Sequence, residues 1–298
     1  MELRQLKQLL VLADTLNFHR AAERLHMAQP PLSTSIKKLE GELGLSLFDR
    51  LPSGLQLTPA GHTLVGHARR TLYQADELRR TAREWVDGAR GVLRVGCVGS
   101  ASHGLLPQIL RQYRQAHPQV EFTLEESSTS GLLQRLEAYT LDVALVRFPV
   151  LVSNQARVML LRRERMMLAV HAESAFAGLA EVELRALHEQ PFIIYSRVHA
   201  STMHLLTQQA FQQKGVQPRI VQEAVQVQSM LGLVEGGLGL ALVPESAARI
   251  CGPALRLVPL AAGNDLFQVG TALAVMPEAI TPTTQHFIDQ ALSLAGIA

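Results

Sequence analysis

The stretch Ala21–Arg50, AAERLHMAQPPLSTSIKKLEGELGLSLFDR, decides the reading of this 298-residue chain. Two helical patterns flank a short break. Ala21, Ala22 and Leu25 share the inward face of a helix predicted over residues 18–25, with Asn17 as its N-cap. His26-Met27-Ala28 interrupts it. Pro30 and Pro31 then suit the first turn of a new helix, where backbone donors have no partner to lose. Leu32, Ile36, Leu39 and Leu43 recur at helical spacing, and Gly44 ends the run. Two helices joined by a three-residue turn have helix-turn-helix geometry. The inward face takes Ala22, Leu25, Leu32, Ile36 and Leu39, which leaves Gln29, Ser33, Thr34, Lys37 and Lys38 outward. Short side chains let such a helix enter a major groove. Gln and Ser/Thr can reach base edges there, and lysines can reach phosphates. Pattern alone also allows a plain helical hairpin that touches no nucleic acid.

Working outward, Leu3, Leu6, Leu9, Leu10 and Ala13 predict an amphipathic helix over residues 3–13. Leu47–Arg50 and Leu55–Thr58 predict two short strands around Pro52-Ser53-Gly54, a hairpin wing. Pro59 opens a long helix reaching residue 90. Ala68, Ala75, Ala82 and Ala89 occupy one heptad position in it, and Leu64, Thr71, Leu78 and Trp85 the other. We read Ala68, Ala75, Leu78, Ala82 and Trp85 as a dimer seam; the alternative is a helix packed on its own domain. A dimer presents two recognition helices to two half-sites, so its operator should be an inverted repeat.

Charge is unevenly spread. The chain carries net +2. Residues 1–90 hold 13 Lys/Arg against 10 Asp/Glu, whereas residues 91–298 hold 15 against 16. A basic helical module thus precedes a near-neutral one, a weak pointer to nucleic acid. Two cysteines, Cys97 and Cys251, cannot build a disulfide framework or a four-cysteine zinc site. The first apolar run, Leu9–Ala13, is flanked by charges and is too short for a signal peptide. No window approaches the roughly 18 apolar residues of a membrane span. The expected location is the cytoplasm.

Beyond residue 90, short apolar runs alternate with helical stretches, the signature of an α/β architecture. Strands are predicted at 92–98, 120–125, 141–146, 166–171, 191–195, 219–221, 238–244 and 267–276. Helices are predicted at 104–116, up to 139, and at 181–187, 201–213, 227–235 and 282–294. We expect two lobes, residues 91–162 with 268–298 and residues 163–267, joined by two crossings that make a hinge. The turn Gly99-Ser100-Ala101-Ser102, the turn Ser127-Ser128-Thr129-Ser130 and Arg147 all fall at strand C-terminal ends, the ligand edge of doubly wound sheets. Helix N-termini and hydroxyls favour an anion, and arginine pairs with carboxylates. Each Ser or Thr could equally be a simple helix cap.

Catalysis finds no support in the motifs. Val98 stands where a G-x-S-x-G elbow around Ser100 needs glycine. Ser100 and His103 lack an orienting acid. The eleven histidines form no H-E-x-x-H cluster, and no phosphate-binding P-loop is present. Cys97 sits in an apolar strand, as core thiols do. We expect neither an enzyme nor a cofactor or metal. A solute-binding protein without DNA function is the rival reading; it needs a secretion signal and leaves residues 1–90 unexplained.

The run from Ala21 to Arg50, with Leu57-Thr58-Pro59-Ala60-Gly61, resembles the winged helix-turn-helix of LysR-type transcriptional regulators, without a gap over residues 2–61. The resemblance implies three parts: a DNA-binding domain at 1–58, a linker helix at 59–90 that pairs subunits, and a two-lobed, periplasmic-binding-protein-like effector domain at 91–298. It implies double-stranded operator DNA and a small carboxylate effector as partners, RNA polymerase as a further one, and a homotetramer built as a dimer of dimers. Gln29, Pro30, Ser33, Thr34, Lys37 and Lys38 would lie at the DNA, with Arg50 and Ser53 at the wing. GSASHGLLPQILRQYRQAHP (99–118) and RRERMMLAVHA (162–172) resemble regulators of aromatic-acid catabolism that sense muconate or benzoate. On that resemblance Ser100 and Thr129 bind the effector carboxylate beside Arg147. Ser102, His103, Ser196, His199, Thr202 and Gln228 complete the effector-binding set.

Three positions depart from the family pattern. Ala28 replaces a capping Ser or Thr, at about 1 kcal/mol. Thr34 stands where arginine is common, and the wing, Leu51-Pro52-Ser53-Gly54, is poor in basic residues. Each lost phosphate contact flattens the dependence of log affinity on log salt by about one unit. DNA binding should therefore be less salt-sensitive than is typical of the family; a steep slope in a salt titration would contradict this.

Overall fold

In a computed structural model the chain is described over residues 1–52, 54–87, 91–151, 154–261 and 267–297, with the side chains at 50, 80, 81 and 83–87 outside that description. Ser53 and the side chains of Arg50 and Trp85, all expected site residues, therefore lie outside the described residues. The chain divides into two compact units, Met1–Arg90 and Gly91–Ala298.

The first unit is helical with a small wing. Its helices are α1 (Leu3–Thr15), α2 (Phe18–Arg24), α3 (Gln29–Leu43) and α4 (Pro59–Asp87). β1 (Phe48–Leu51) and β2 (Gly54–Leu57) pair antiparallel between α3 and α4, with Phe48 opposite Leu57. Asn17 caps α2 as expected, its side chain accepting from the N–H groups of His19 and Arg20. Gly44 closes α3 in the left-handed region at φ 71°, where a Cβ is strained. Leu9, Leu12, Ala21, Leu32, Ile36, Leu39 and Leu47 form a dry core. Buried Gln8 ties three parts together: its amide donates to Met27 Sδ and it accepts from Ser35 Oγ. Glu40 accepts from the N–H groups of Leu47 and Phe48 and so fixes the wing to α3. Thr58 Oγ1 donates to the Ser46 carbonyl and accepts from Gly61 N–H, capping α4. A Cβ at Gly61 would collide with the Leu47 carbonyl oxygen, so the turn into α4 requires glycine.

One seam residue needs correcting. Ala68 is 3% exposed and belongs to this unit's own core, because the first half of α4 lies along α1. It is not free to meet a second subunit. Farther along, Ala75 is half-buried, Ala82 is exposed and Leu78 is 73% exposed.

The second unit holds two five-stranded sheets. The first runs β4 (Glu121–Glu126), β3 (Val92–Cys97), β5 (Val143–Phe148), β12 (Val269–Val275), β6 (Arg157–Glu164). β3 is parallel to β4 and β5, and β12 is antiparallel to β5 and β6. The second runs β11 (Leu255–Pro259), β7 (Met166–His171), β10 (Leu240–Pro244), β8 (Pro191–Tyr195), β9 (Arg219–Ala224). Here β10, β8 and β9 are parallel, and β7 runs antiparallel to both its neighbours, β10 and β11. The chain crosses between sheets twice, from β6 to β7 and from β11 to β12.

The accompanying helices are α5 (Gly99–Ser102), α6 (Leu106–Ala116), α7 (Thr129–Glu137), α8 (Ser201–Lys214), α9 (Val227–Glu235) and α10 (Pro282–Leu294). Short 3-10 turns cover Leu184–Leu187, Glu245–Ile250 and Pro277–Ala279. The segment expected as a helix at 181–187 is thus only the first of these turns. Strands β6 and β11 were not anticipated, since Arg157, Arg162 and Arg163 mask the apolar centre of the one and the other is five residues long. Parallel strands buried on both faces read as continuous apolar runs, and Val143–Val146 and Leu240–Val243 are buried throughout.

Asp142 is wholly buried at the start of β5. It accepts from the backbone N–H of Arg94 and from Arg94 Nε and Nη2, at 2.8, 3.1 and 2.7 Å. Asp142→Ala leaves a buried backbone donor of β3 without its acceptor, a loss of about 1–3 kcal/mol. Urea denaturation should show it, and an unchanged midpoint would mean the carboxylate is not holding these strands together.

Candidate effector cavity and DNA-reading helix

At the C-terminal ends of β3, β5 and β8, turns from both sheets enclose a cavity of about 60 Å³. Four elements bring residues to it: Ser100 of α5, the Ser128-Thr129-Ser130 start of α7, residues 199–203 entering α8, and residues 225–227 entering α9. Val98, Arg147 and Tyr195 complete the wall. The first turns of α7, α8 and α9 thus converge on one space. Their first-turn N–H groups and aligned peptide dipoles favour negative charge in that space. Ser128 caps α7 by accepting from Gly131 N–H. Neither Ala200 at the start of α8 nor Gln226 at the start of α9 provides a side-chain cap.

Arg147 is 7% exposed and held by three partners. It pairs with Glu164, donates to the Gly270 carbonyl at 3.2 Å and donates to Ser100 Oγ. Its charge is therefore balanced inside the protein, by a carboxylate at the end of β6. Its backbone N–H donates to Thr129 Oγ1 at 3.1 Å. Thr129 keeps its own O–H for another acceptor.

Of the expected effector residues, Ser100, Thr129, Arg147, His199 and Thr202 line the cavity together. Four do not. Ser102 Oγ turns back to the Gly99 carbonyl at 2.7 Å, and His103 is exposed at the end of α5. Ser196 Oγ accepts from His199 N–H and shapes the turn before α8. Gln228 lies against Gly99 rather than the cavity; a Cβ there would come within 2.8 Å of its amide. Tyr195 was not anticipated, because a tyrosine ending a buried strand reads as core. His204 is such a core residue, its Nδ1 2.7 Å from the Tyr195 carbonyl oxygen. Ser100 and Glu164 also line a wider cavity of about 420 Å³, with Arg162, Glu245, Ser246 and Arg249.

In the other unit, α3 presents Gln29, Pro30, Thr34, Lys37 and Lys38 to solvent, with Ser33 half-buried. Thr34 Oγ1 donates to the Pro30 carbonyl at 3.1 Å, so its hydroxyl hydrogen is already used. Ala28 caps α3 with no side-chain bond. Among the described residues no group of three or more His, Cys, Asp and Glu could hold a metal ion, and no helix is long and apolar enough to cross a membrane.

A winged helix-turn-helix together with a two-lobed unit enclosing a cavity that favours negative charge defines a ligand-responsive DNA-binding regulator. Comparison with known proteins agrees. Residues 3–62 match the bacterial regulatory helix-turn-helix of the lysR family, and residues 87–295 match the LysR substrate binding domain. The transcriptional regulator AlsR of Bacillus subtilis is 34% identical over 250 residues, 84% of this chain and 82% of its own. BenM of Acinetobacter baylyi is 32% identical over 285 residues, 95% and 88% respectively. The crystal structure of CbnR, a LysR family regulator, superposes with a TM-score of 0.71 at 26% identity over 99% of both chains. CbnR in complex with its target DNA superposes at 0.69, with 26% identity over 99% of this chain and 100% of that one. The chain belongs to the LysR family of DNA-binding transcriptional regulators, which are not enzymes, and it carries that family's effector-binding domain.

Arg147→Ala strands the Glu164 carboxylate, whose side chain is 3% exposed. Removing one partner of a buried pair costs about 3–5 kcal/mol. The variant should melt well below the wild type, and adding Glu164→Leu should recover most of the loss. A wild-type melting curve for Arg147→Ala would show that the pair does not hold the fold.

Proposed function

We propose that this regulator reads an inverted-repeat operator as a homo-oligomer and is switched by a small carboxylate bound between its two lobes. Residues 1–58 read DNA, residues 59–90 pair subunits through the exposed side of α4 around Leu78, and residues 91–298 sense the acid. Gln29, Pro30, Ser33 and Lys37 lie nearest the DNA, Thr34 and Lys38 flank them, and Arg50 and Ser53 meet the backbone at the wing. A dimer of dimers places four such units on a promoter, where RNA polymerase is a further partner.

The observation that carries the ligand class is the convergence of the α7, α8 and α9 first turns on hydroxyl-lined space. A carboxylate accepts from such N–H and O–H donors. Arg147, balanced by Glu164, positions Ser100 and Thr129 rather than supplying the countercharge. A benzoate- or muconate-sized acid, suggested by the resemblance of residues 99–118 and 162–172 to aromatic-acid regulators, is one candidate, and shorter acids are others.

The test is a thermal-shift screen of the full-length chain against short monocarboxylic, dicarboxylic and aromatic acids, since a ligand that binds only the folded state raises the melting temperature. One of these acids should raise it. Thr129→Ala should weaken that acid about tenfold, the loss of one hydrogen bond to a charged group, while leaving operator affinity unchanged in a mobility-shift assay. No response to any acid, or equal binding by the variant, would overturn the reading.

A further inference from the structure

We infer that Gly99 and Gln228 form the stop on which the two lobes close, and that the size of residue 99 sets how far the cavity walls approach. The inference goes beyond the carboxylate reading and does not depend on the class of ligand.

Gly99 opens α5 in the first lobe and precedes Ser100 of the cavity wall. Gln228 lies in the first turn of α9 in the second lobe and follows Val227, which that lobe contributes to the cavity. The two residues meet across the lobes. A Cβ on Gly99 would stand 2.8 Å from both Nε2 and Oε1 of Gln228, closer than side-chain carbons pack. The backbone of Gly99 is outside the left-handed region, so alanine suits its torsions. Glycine is needed there for space.

A second side chain reaches the same point. Oε1 of Glu126, at the end of β4 in the first lobe, would also lie 2.8 Å from that Cβ. The two neighbours are not equivalent. Glu126 is exposed and has water to turn into. Gln228 Oε1 is buried and has no hydrogen-bond partner. Enclosing it removes its water without supplying a partner, which opposes closure. The contact therefore limits the approach of the lobes instead of bonding them together. Two chain crossings leave the lobes a hinge. A contact one residue from the cavity wall on each side fixes where that hinge comes to rest.

The experiment compares the full-length wild type with Gly99→Ala, Gln228→Ala, Glu126→Ala and the two doubles that combine Gly99→Ala with each of the others. Thermal melting reads the coupling. Double electron–electron resonance reads the distance between nitroxides at Gln134→Cys on α7 and Gln208→Cys on α8, both exposed positions. A Cys251→Ser background and dilution into unlabelled protein restrict the signal to one chain, since Cys97 is buried. Gly99→Ala should melt a few degrees lower, as overpacked sites do. It should also lengthen the distance between the lobes, and Gly99→Leu should lengthen it further. The double with Gln228→Ala should melt close to Gln228→Ala alone and recover the wild-type distance, the non-additivity of residues in contact. The double with Glu126→Ala should behave as Gly99→Ala does. Additive losses with Gln228→Ala, rescue by Glu126→Ala instead, or an unchanged distance in Gly99→Ala would each overturn the inference. None of these readings uses a ligand, so its failure leaves the carboxylate reading standing.

Discussion

One guanidinium organises the larger unit. Arg147 closes the end of β5, and its three kinds of bond reach Ser100 at the cavity, Glu164 at the end of β6 and Gly270 at the start of β12. β6 leads into the crossing to the second sheet, and β12 receives the chain on its return. A single buried side chain thus touches the cavity wall and both crossing strands. The ion pair with Glu164 lets this charge exist in the interior, where an unpaired arginine would be prohibitive. In the proposed reading, anion recognition falls to hydroxyls and helix N-termini, and a ligand that moves Ser100 or Thr129 would act on atoms bonded to Arg147.

The modest charge of the first unit has a structural counterpart. Its recognition helix is held by packing and by buried polar ties rather than by strong caps. Ala28 contributes no cap, while Gln8, Glu40 and Thr58 tie helix, turn and wing together. The helix is therefore positioned by its own core and offers short side chains outward. In the proposed reading, affinity for DNA would depend on base-edge contacts and on presenting the unit more than once, more than on bulk attraction to phosphate.

Much of the fold was legible because the patterns were local. Leu32, Ile36 and Leu39 at helical spacing, Asn17 as a cap and Gly44 as a stop fix the first unit, and the continuous apolar strands fix the two sheets. Strands β6 and β11 escaped because edge positions tolerate charge and shortness. Of the residues that line the cavity, Ser100, Thr129 and Arg147 were readable from their places at strand ends and helix starts, whereas His199 and Thr202 came from the family resemblance. Ser102 and Gln228 stand in the same turns, yet their side chains point elsewhere, and residue type cannot convey that. The reverse holds for Tyr195, whose strand pattern gives no sign that its hydroxyl has no partner. Ala68 shows the same limit in the long helix: a heptad position marks an apolar face without saying which neighbour covers it.

The most direct test of the central claim is a crystal structure of the full-length protein grown with a carboxylic acid that raises its melting temperature. The account predicts density for the acid between the lobes, its carboxylate within hydrogen-bond reach of the Thr129 hydroxyl and the first-turn N–H groups of α8 and α9. Density only in the wider cavity beside Arg162 and Arg249, with the Thr129 pocket unchanged, would contradict it.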